Sequence, residues 1–436
     1  MVTVRAAAGA VPVAGRPPVA DAAAPAARPA AAAAGRGRSA PGAVVAGIGV
    51  AVPTPVGQEE LWQQRFRHHF GDSALARRIF ASAGVRRRHT VVDLAAEDPA
   101  DWSTADRMRR YAREAPALGH RAVVAALAEA GLTAADVGQL TVASCTGYDT
   151  PGLDIRLAGS LGMPVDAQRL LVGHMGCYAA LPALGAAADH VAARGRPAVL
   201  LCLELPSLHL QPADADTQQV VTHALFGDAA VALVLLPPDA ATAPGGPAGT
   251  GAHPPPAAAH PPPAGAHPPP AAASPGGALQ LVDVVARTDP GTAELMTWQV
   301  TDLGFRMGLS PEVPAVLARH VRPVTEQLLA RHGVGVDEVA GWAVHPGGPR
   351  ILETVEDELG LAPTALDASR AVLAEYGNCS SPTVLLVLDR IRSGGTGRDA
   401  APPPAGSPVV AMAFGPGLTL YAALFRVGAG AAPAAG

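Results

Sequence analysis

Three side chains that could share one covalent chemistry stand at Cys177, His345 and Asn378. Cys177 lies in Gln168-Arg-Leu-Leu-Val-Gly-His-Met-Gly-Cys-Tyr-Ala-Ala-Leu. A leucine- and valine-rich run reaches a glycine turn, then the thiol, then an alanine-rich helix out to about Ala193. Free cysteines are commonly buried and inert. A thiol at a helix N-terminus, however, feels the positive end of the helix dipole, and its pKa is expected to fall below the reference of about 8.5. His345 ends the short apolar run Gly341-Trp-Ala-Val and is followed by a Pro/Gly turn and a helix from about Ile351. Asn378 sits in Tyr376-Gly-Asn-Cys-Ser-Ser-Pro-Thr-Val-Leu, a turn opening a strongly apolar helix. A histidine after a strand can be plain core, and an asparagine before a helix can be an N-cap. Taken together they give Cys, His, Asn in chain order, each on a turn joining regular elements, where α/β proteins carry functional groups.

The elements that must position these residues alternate. Residues 139–144, 170–173, 198–203 and 229–236 read as strands, with helical segments between the first three and again before the last. After a break, 279–287, 342–345, 409–414 and 418–425 read as strands, while 323–331, 351–359 and 380–392 read as helices. This order implies mixed α/β layers with buried central strands. Two such halves fit a pseudo-duplicated αβαβα architecture, one over residues 43–236 with Cys177 and one over 278–427 with His345 and Asn378.

Three stretches fall outside that pattern. Residues 1–42 are rich in Ala, Pro and Arg with one acid, Asp21, and lack an apolar signal-peptide core; they read as a disordered tail. Residues 237–277 carry His-Pro-Pro-Pro at His253, His260 and His267. Proline at this density leaves no helix or sheet interior, so the segment reads as a disordered insertion rather than a metal site. Residues 428–436 read as a second tail.

Composition narrows the function classes. The chain has 436 residues, 49% hydrophobic and only 16% charged, enough for a large core or two similar halves. A formal charge of −5 offers no basic surface for nucleic acid. No apolar run is long enough to span a membrane. Four cysteines make no disulfide framework and no pair has zinc-ligand spacing, which points to a reducing cytoplasm.

The residues also reach a family. Gly-Cys177 with its helix, Ala224-Leu-Phe-Gly-Asp-Ala229, Val344-His-Pro-Gly-Gly-Pro349, Gly377-Asn-Cys-Ser-Ser381 and Phe414-Gly-Pro-Gly417 occur in this order. From about Ala43 to Arg426 the chain resembles the type III polyketide synthases, the chalcone-synthase-like branch of the thiolase fold. The stretch from Thr301 to Pro314 resembles bacterial members, most of all those releasing alkylpyrones, such as germicidin synthase. The resemblance implies a homodimer, with Asp149-Thr-Pro-Gly152 reaching the partner subunit's cavity. It implies acyl-CoA and malonyl-CoA as substrates and no metal or organic cofactor. Cys177 would hold the acyl chain, His345 would help keep it a thiolate, and Asn378 with His345 would hold the enolate oxygen. Phe226 and Met307 match gatekeeper positions, Met307 replacing the phenylalanine of plant members. Cys145 stands where plant members carry threonine, as in tetrahydroxynaphthalene synthases, and Trp298 replaces a small glycine on the cavity wall. Ser380, Phe414, Gly347 and Gly348 belong to the matched site motifs. Arg78 matches a coenzyme A phosphate contact, with Arg77 and Arg86 to Arg88 nearby; exposed arginines of this kind also make ordinary solvated surface.

Other readings stay open at this stage. A tetrahydroxynaphthalene-type synthase starting from malonyl-CoA and a fatty-acid-initiating ketosynthase use the same three residues. A thiol hydrolase also shows Cys, His, Asn in this order, though its companion motif is absent.

Because a proline-rich segment supplies no packed element, replacing residues 237–277 by a short Gly/Ser linker should leave condensation near the wild-type rate. Product formation per folded protein measures this. A loss of about tenfold or more would place the segment at the site or an interface, since loop length alone costs little.

Overall fold

The computed structural model describes residues 42–212, 216–241, 277–395 and 401–428. All but one residue of each tail, and most of the proline-rich segment, lie outside these residues. Of that segment, Pro238–Ala241 forms one helical turn, because proline is tolerated where a helix begins.

Strand β1 (Val44–Ala51) opens the fold, followed by the small antiparallel pair β2 (Thr54–Gly57) and β3 (Arg87–Thr90). Then come β4 (Gln139–Ser144), β5 (Gln168–Gly173), β6 (Ala198–Glu204) and β7 (Ala229–Leu236). The later part carries β8 (Leu279–Thr288), a hairpin of β9 (Met296–Thr301) and β10 (Gly304–Leu309), and β11 (Gly341–Val344), β12 (Pro408–Gly415) and β13 (Thr419–Val427). The main sheet runs β11-β12-β13-β8-β1-β7-β6-β4-β5. Its two parts join at β1 and β8, through Val44 opposite Gln280 and Val45 opposite Leu279. Each part has parallel strands outward (β4 with β5 and β6; β11 with β12) and antiparallel strands inward. The chain is thus folded twice in a similar way.

The principal helices are α1 (Ala74–Ser82), α2 (Thr104–Glu129), α3 (Leu153–Leu161), α4 (Ala180–Arg194), α5 (Thr217–Leu225), α6 (Val313–Ala330), α7 (Pro349–Leu359), α8 (Asp367–Tyr376) and α9 (Ser381–Arg392). Their layering follows from strand alternation. On β6, Val199, Leu201 and Leu203 join the core under α2, whereas Ala198, Leu200 and Cys202 join the core that holds α4 and α9. That second core also takes Val409, Ala411 and Ala423 from β12 and β13, so α4 and α9 form a middle layer between the two sheet parts. Helices α6 and α7 cover the far face of β11–β13. The order is αβαβα. A middle layer touching sheets on both sides cannot be amphipathic, which is why α9 is apolar all round at Val384–Leu388.

Gly49 shows how tightly the outer layer is seated. A Cβ there would lie 2.0 Å from the Ala122 carbonyl oxygen of α2 and 2.4 Å from the Ala126 nitrogen. The helix therefore rests on the strand backbone. Gly49→Ala should cost about 2–3 kcal/mol or more through overpacking, read as a lowered denaturation midpoint. An unchanged midpoint would mean that α2 can move off β1 freely.

Candidate active site

The thiol is delivered by a sharp turn. After β5, His174 takes φ 56° and Gly176 φ 74°, and Gly176–Tyr178 form a 3-10 turn that runs into α4. A Cβ on Gly176 would stand 2.9 Å from the Pro416 ring, and one on Gly415 would stand 3.4 Å from the Cys177 nitrogen. The cysteine turn therefore lies against the β12–β13 connection. His345 follows β11 directly; its amide donates to the Met412 carbonyl (2.8 Å), and its ring stands edge-on to Phe414 at 5.6 Å. Thiol and imidazole thus both bear on the Phe414–Pro416 segment. Gly347 permits this closeness, since a Cβ there would come within 3.2 Å of the Phe414 ring. Gly348 is the N-cap of α7.

Asn378 is held by the backbone of the other half. Its amide donates to the Leu225 carbonyl (2.8 Å), and its own carbonyl accepts from Gly227 (3.1 Å). Its side-chain Oδ1 accepts from the Ser380 amide (2.8 Å). The amide orientation is thereby decided: Nδ2 is the end left free to donate, and the Asn378 side chain acts to lower the Cys177 thiol's pKa. Ser380, at φ 56°, lies 3.8 Å, Oγ to Sγ, from Cys145.

The electrostatics correct one expectation. Burial pushes the Cys177 thiol up to about 12, against the lowering effect of hydrogen bonds from Ser380 and Asn378. The reason is magnitude. A helix terminus supplies at most ~2 kcal/mol, about 1.5 pKa units, whereas full burial shifts a group by up to ~3–5 units. The same burial pushes the His345 imidazole down to about 3, and neither of its ring nitrogens has a partner. Burial thus favours the neutral form of both the thiol and the imidazole. Such an imidazole can take the thiol proton as sulfur attacks, and Asn378 Nδ2 can donate to a developing oxyanion.

A cavity adjoins this constellation, lined among others by Phe226, Met307, Trp298, Phe305 and His209. Phe226 caps α5 and forms a bridge with Asn378. Trp298 turns toward the site, with Nε1 donating to the Cys145 carbonyl (2.8 Å). Met307 faces Trp298 across the β9–β10 ladder. Of the basic residues, Arg78 is exposed on α1 and does not line the cavity. Arg77 pairs with Glu59, and Arg86 and Arg87 pair with Glu375. Arg88 is not part of that solvated face: it is 3% exposed, packed over Phe66 and Phe80.

Glu204 went unread in the sequence, although an acid ending the apolar run Ala198-Val-Leu-Leu-Cys-Leu is a visible signal. Fully buried at the end of β6, it accepts from the Cys145 amide (2.9 and 3.1 Å), the Thr146 hydroxyl (2.7 Å) and the Ser381 hydroxyl (3.0 Å). Burial nevertheless pushes its carboxyl up to about 7. A folded pKa above the unfolded one favours the folded state below the unfolded pKa of about 4.3 and loses that contribution as pH rises through about 7. Glu204→Gln should therefore flatten the fall in stability between about pH 5 and 7, by up to ~3 kcal/mol relative to wild type. Denaturant titrations across that range measure it. Parallel profiles for the two proteins would remove Glu204 as the titrating group.

Comparison with known proteins covers both halves of the chain. The N-terminal domain model of chalcone and stilbene synthases matches residues 31–237, and the C-terminal domain model matches residues 280–428. The chain is 36% identical over 361 residues to 1,3,6,8-tetrahydroxynaphthalene synthase of Streptomyces peucetius subsp. caesius, covering 81% of this chain and 84% of the relative. It is 31% identical to the alpha-pyrone synthesis polyketide synthase-like Pks18 of Mycobacterium tuberculosis, over 74% of this chain and 73% of that one. Among solved structures, 1,3,6,8-tetrahydroxynaphthalene synthase of Streptomyces coelicolor A3(2) superposes with a TM-score of 0.74 at 27% identity, over 88% of this chain and 99% of that one. PKS-I of the brown alga Ectocarpus siliculosus gives 0.72 at 28%, over 88% and 98%.

Proposed function

The chain belongs to the chalcone and stilbene synthase family and is a type III polyketide synthase, and from that premise we propose that Cys177, His345 and Asn378 carry its condensation chemistry. The Cys177 sulfur attacks the carbonyl of an acyl-CoA starter, its proton passes to His345, and the coenzyme A thiolate leaves and takes that proton. The acyl group stays on Cys177 as a thioester. A malonyl-CoA extender then loses carbon dioxide, and its thioester oxygen becomes an enolate. Asn378 Nδ2 and the protonated nitrogen of His345 donate to that oxygen. The enolate carbon attacks the Cys177 thioester, releasing the sulfur and lengthening the chain on coenzyme A. The thioester is itself the activated group, so the reaction needs no metal or organic cofactor.

The observation that carries this reading is the fixed amide of Asn378. With Oδ1 engaged by the Ser380 amide, Nδ2 is the end of the side chain left to donate. A preorganised donor of this kind is typically worth ~10²–10³ in rate. Cyclisation to an alkylpyrone or related phenolic follows from the resemblance to pyrone-forming relatives. Cys145 and the inward Trp298 support a second product, a tetrahydroxynaphthalene-type naphthol, because an indole on the wall leaves room for short starters. Incubation with malonyl-CoA and a panel of acyl-CoA starters, read by product mass, separates the two.

We further infer a homodimer working in the cytoplasm. Strand β5 is a sheet edge whose Leu170 and Leu171 are exposed, with Ile155 of α3 and Tyr148 also exposed. An open edge carrying apolar side chains suits pairing with a second copy.

Cys177→Ala should abolish product, because no covalent chain forms. Cys177→Gln should lose condensation yet keep decarboxylating malonyl-CoA, since the two enolate donors remain. Carbon dioxide release and product mass are the readouts; polyketide formed by the Ala variant at the wild-type rate would overturn the nucleophile assignment.

A further inference from the structure

Strand β10 pairs with β9 along one edge, and among the described residues no strand lies on the other. Backbone groups alternate across an antiparallel ladder, so those of Phe305, Met307 and Leu309 point to that open edge. Such groups need partners once buried. Four side chains from the earlier half of the chain supply them. The Phe305 amide donates to His209 Nδ1 (3.0 Å), and its carbonyl accepts from Gln211 Nε2 (3.2 Å). The Met307 carbonyl accepts from Gln219 Nε2 (2.7 Å), and the Leu309 amide donates to Gln218 Oε1 (2.7 Å). These side chains stand where a neighbouring strand would.

Two of the four belong to one helix. Gln218 and Gln219 lie in the first turn of α5, and Phe226 is its C-cap. Phe226 in turn forms a bridge with Asn378. Helix α5 therefore ties the strand carrying Met307 to Phe226 and, through it, to the enolate donor. The turn end of the hairpin has separate anchors: Thr104 Oγ1 accepts from the Gly304 amide (2.8 Å), and Gln211 Nε2 donates to the Leu303 carbonyl (3.1 Å). The Met307–Leu309 end rests on α5 through the two glutamines. Met307 and Phe226 line a cavity of about 40 Å³, room for little more than a water. An acyl chain enters only where a wall gives.

The two amides act through opposite ends. Gln219 is 1% exposed and meets a carbonyl, so its nitrogen makes the bond, while its Oε1 has no partner. Gln218 is half-buried and meets an amide, so its oxygen makes the bond.

We propose that Gln218 and Gln219 are specificity-determining positioning residues: their hydrogen bonds fix the Met307 strand against Phe226 and so set the size of acyl starter that the cavity admits. This rests on the synthase reading above. Neither glutamine acts on the reacting atoms; both act through the place of Met307. With the two bonds intact, the Met307 side chain yields while its backbone stays, which favours short starters. With either bond lost, that end of the strand withdraws and longer chains enter.

The test compares kcat/KM for octanoyl-CoA and butyryl-CoA as starters, with malonyl-CoA as extender, in the wild type and three variants. Gln219→Met keeps the shape and removes the donor. Gln218→Met removes the acceptor. Gln218→Glu keeps an acceptor oxygen, in a helix first turn that tolerates a carboxylate. Both Met variants should raise the octanoyl-to-butyryl ratio by about tenfold or more, the worth of a methylene in an apolar pocket. Gln218→Glu should stay within about twofold of the wild-type ratio, the spread of a neutral substitution. A merely structural role would lower the denaturation midpoint and slow both starters alike. An unmoved ratio in whichever Met variants fold therefore overturns the proposal. So does a Gln218→Glu ratio that moves as far as that of Gln218→Met, because loss of the acceptor would then not be the cause. Should the buried Gln219→Met fail to fold, the two variants at the half-buried Gln218 decide. Carbon dioxide release from malonyl-CoA by the wild type separates the two levels. Its absence sinks the synthase mechanism and this inference together; its presence with unmoved ratios sinks this inference alone.

Discussion

The site is organised around one buried carboxyl group. Glu204 ends β6 and accepts hydrogen bonds from Cys145 and Thr146 after β4 and from Ser381 at the start of α9. Those contacts fasten the earlier half of the chain to the later one at the depth of the reacting sulfur. Ser381 adjoins Ser380, which reaches Cys145. Thr146 extends the network, because its hydroxyl oxygen also accepts from the Leu205 amide (2.8 Å). A half-satisfied buried network would be worse than an apolar core. Here both carboxyl oxygens are occupied, so the network holds three chain segments in one register.

The layering decides the chemistry's electrical state. Helices α4 and α9 occupy the middle of the fold and start at the two active segments, one beside Cys177 and one beside Asn378. Water is excluded by construction, and desolvation then dominates every local charge effect. Thiol and imidazole rest neutral, so the ion pair forms only while a substrate carbonyl is being attacked. The reactive form depends on geometry supplied by Asn378 and His345.

Much of this was legible in the chain, and the exceptions have physical causes. Strands such as 139–144 and 229–236 match to the residue, because continuous apolar runs bounded by turns admit few alternatives. The three turns carrying Cys177, His345 and Asn378 were readable from glycine and proline punctuation. The hairpin of β9 and β10 was not: its glycine, Gly304 at φ 88°, follows the loop Asp302-Leu303 rather than standing in it, and its strands mix polar with apolar residues. Helix α6 begins at Val313, ten residues before the 323 expected, because Pro314 fits its first turn and Pro323 is carried inside it. Arg88 sits in a run of three arginines, and nothing local distinguishes it from its exposed neighbours. Its burial comes from Phe66 and Phe80, elsewhere in the chain. The thiol's pKa failed for the same kind of reason: a helix dipole is local and visible in sequence, whereas burial is tertiary.

The cavity walls divide in stiffness, and that bears on what the enzyme selects. Trp298 is bonded to the Cys145 carbonyl and stands edge-on to His209 and Phe305. His209 is itself fixed twice, through Nε2 to the Thr146 carbonyl (2.7 Å) and through Nδ1 from the Phe305 amide (3.0 Å), and it stacks on Phe305 at 4.5 Å. Burial pushes His209 down to about 3, so this interlock keeps one neutral tautomer and one shape. Met307, paired with Trp298 in the hairpin, is buried, its backbone carbonyl accepts from Gln219, and its unbranched thioether adapts to neighbours more readily than an indole. A rigid wall tied to the Cys145 loop sets a limit on volume, while an adaptable one absorbs differences among acyl groups. Because the rigid side is bonded to the same loop that Glu204 fixes, cavity shape and sulfur position are mechanically one unit. A change at Trp298 or His209 therefore acts on rate as well as on size selection, whereas a change at the Met307 side chain acts on selection first.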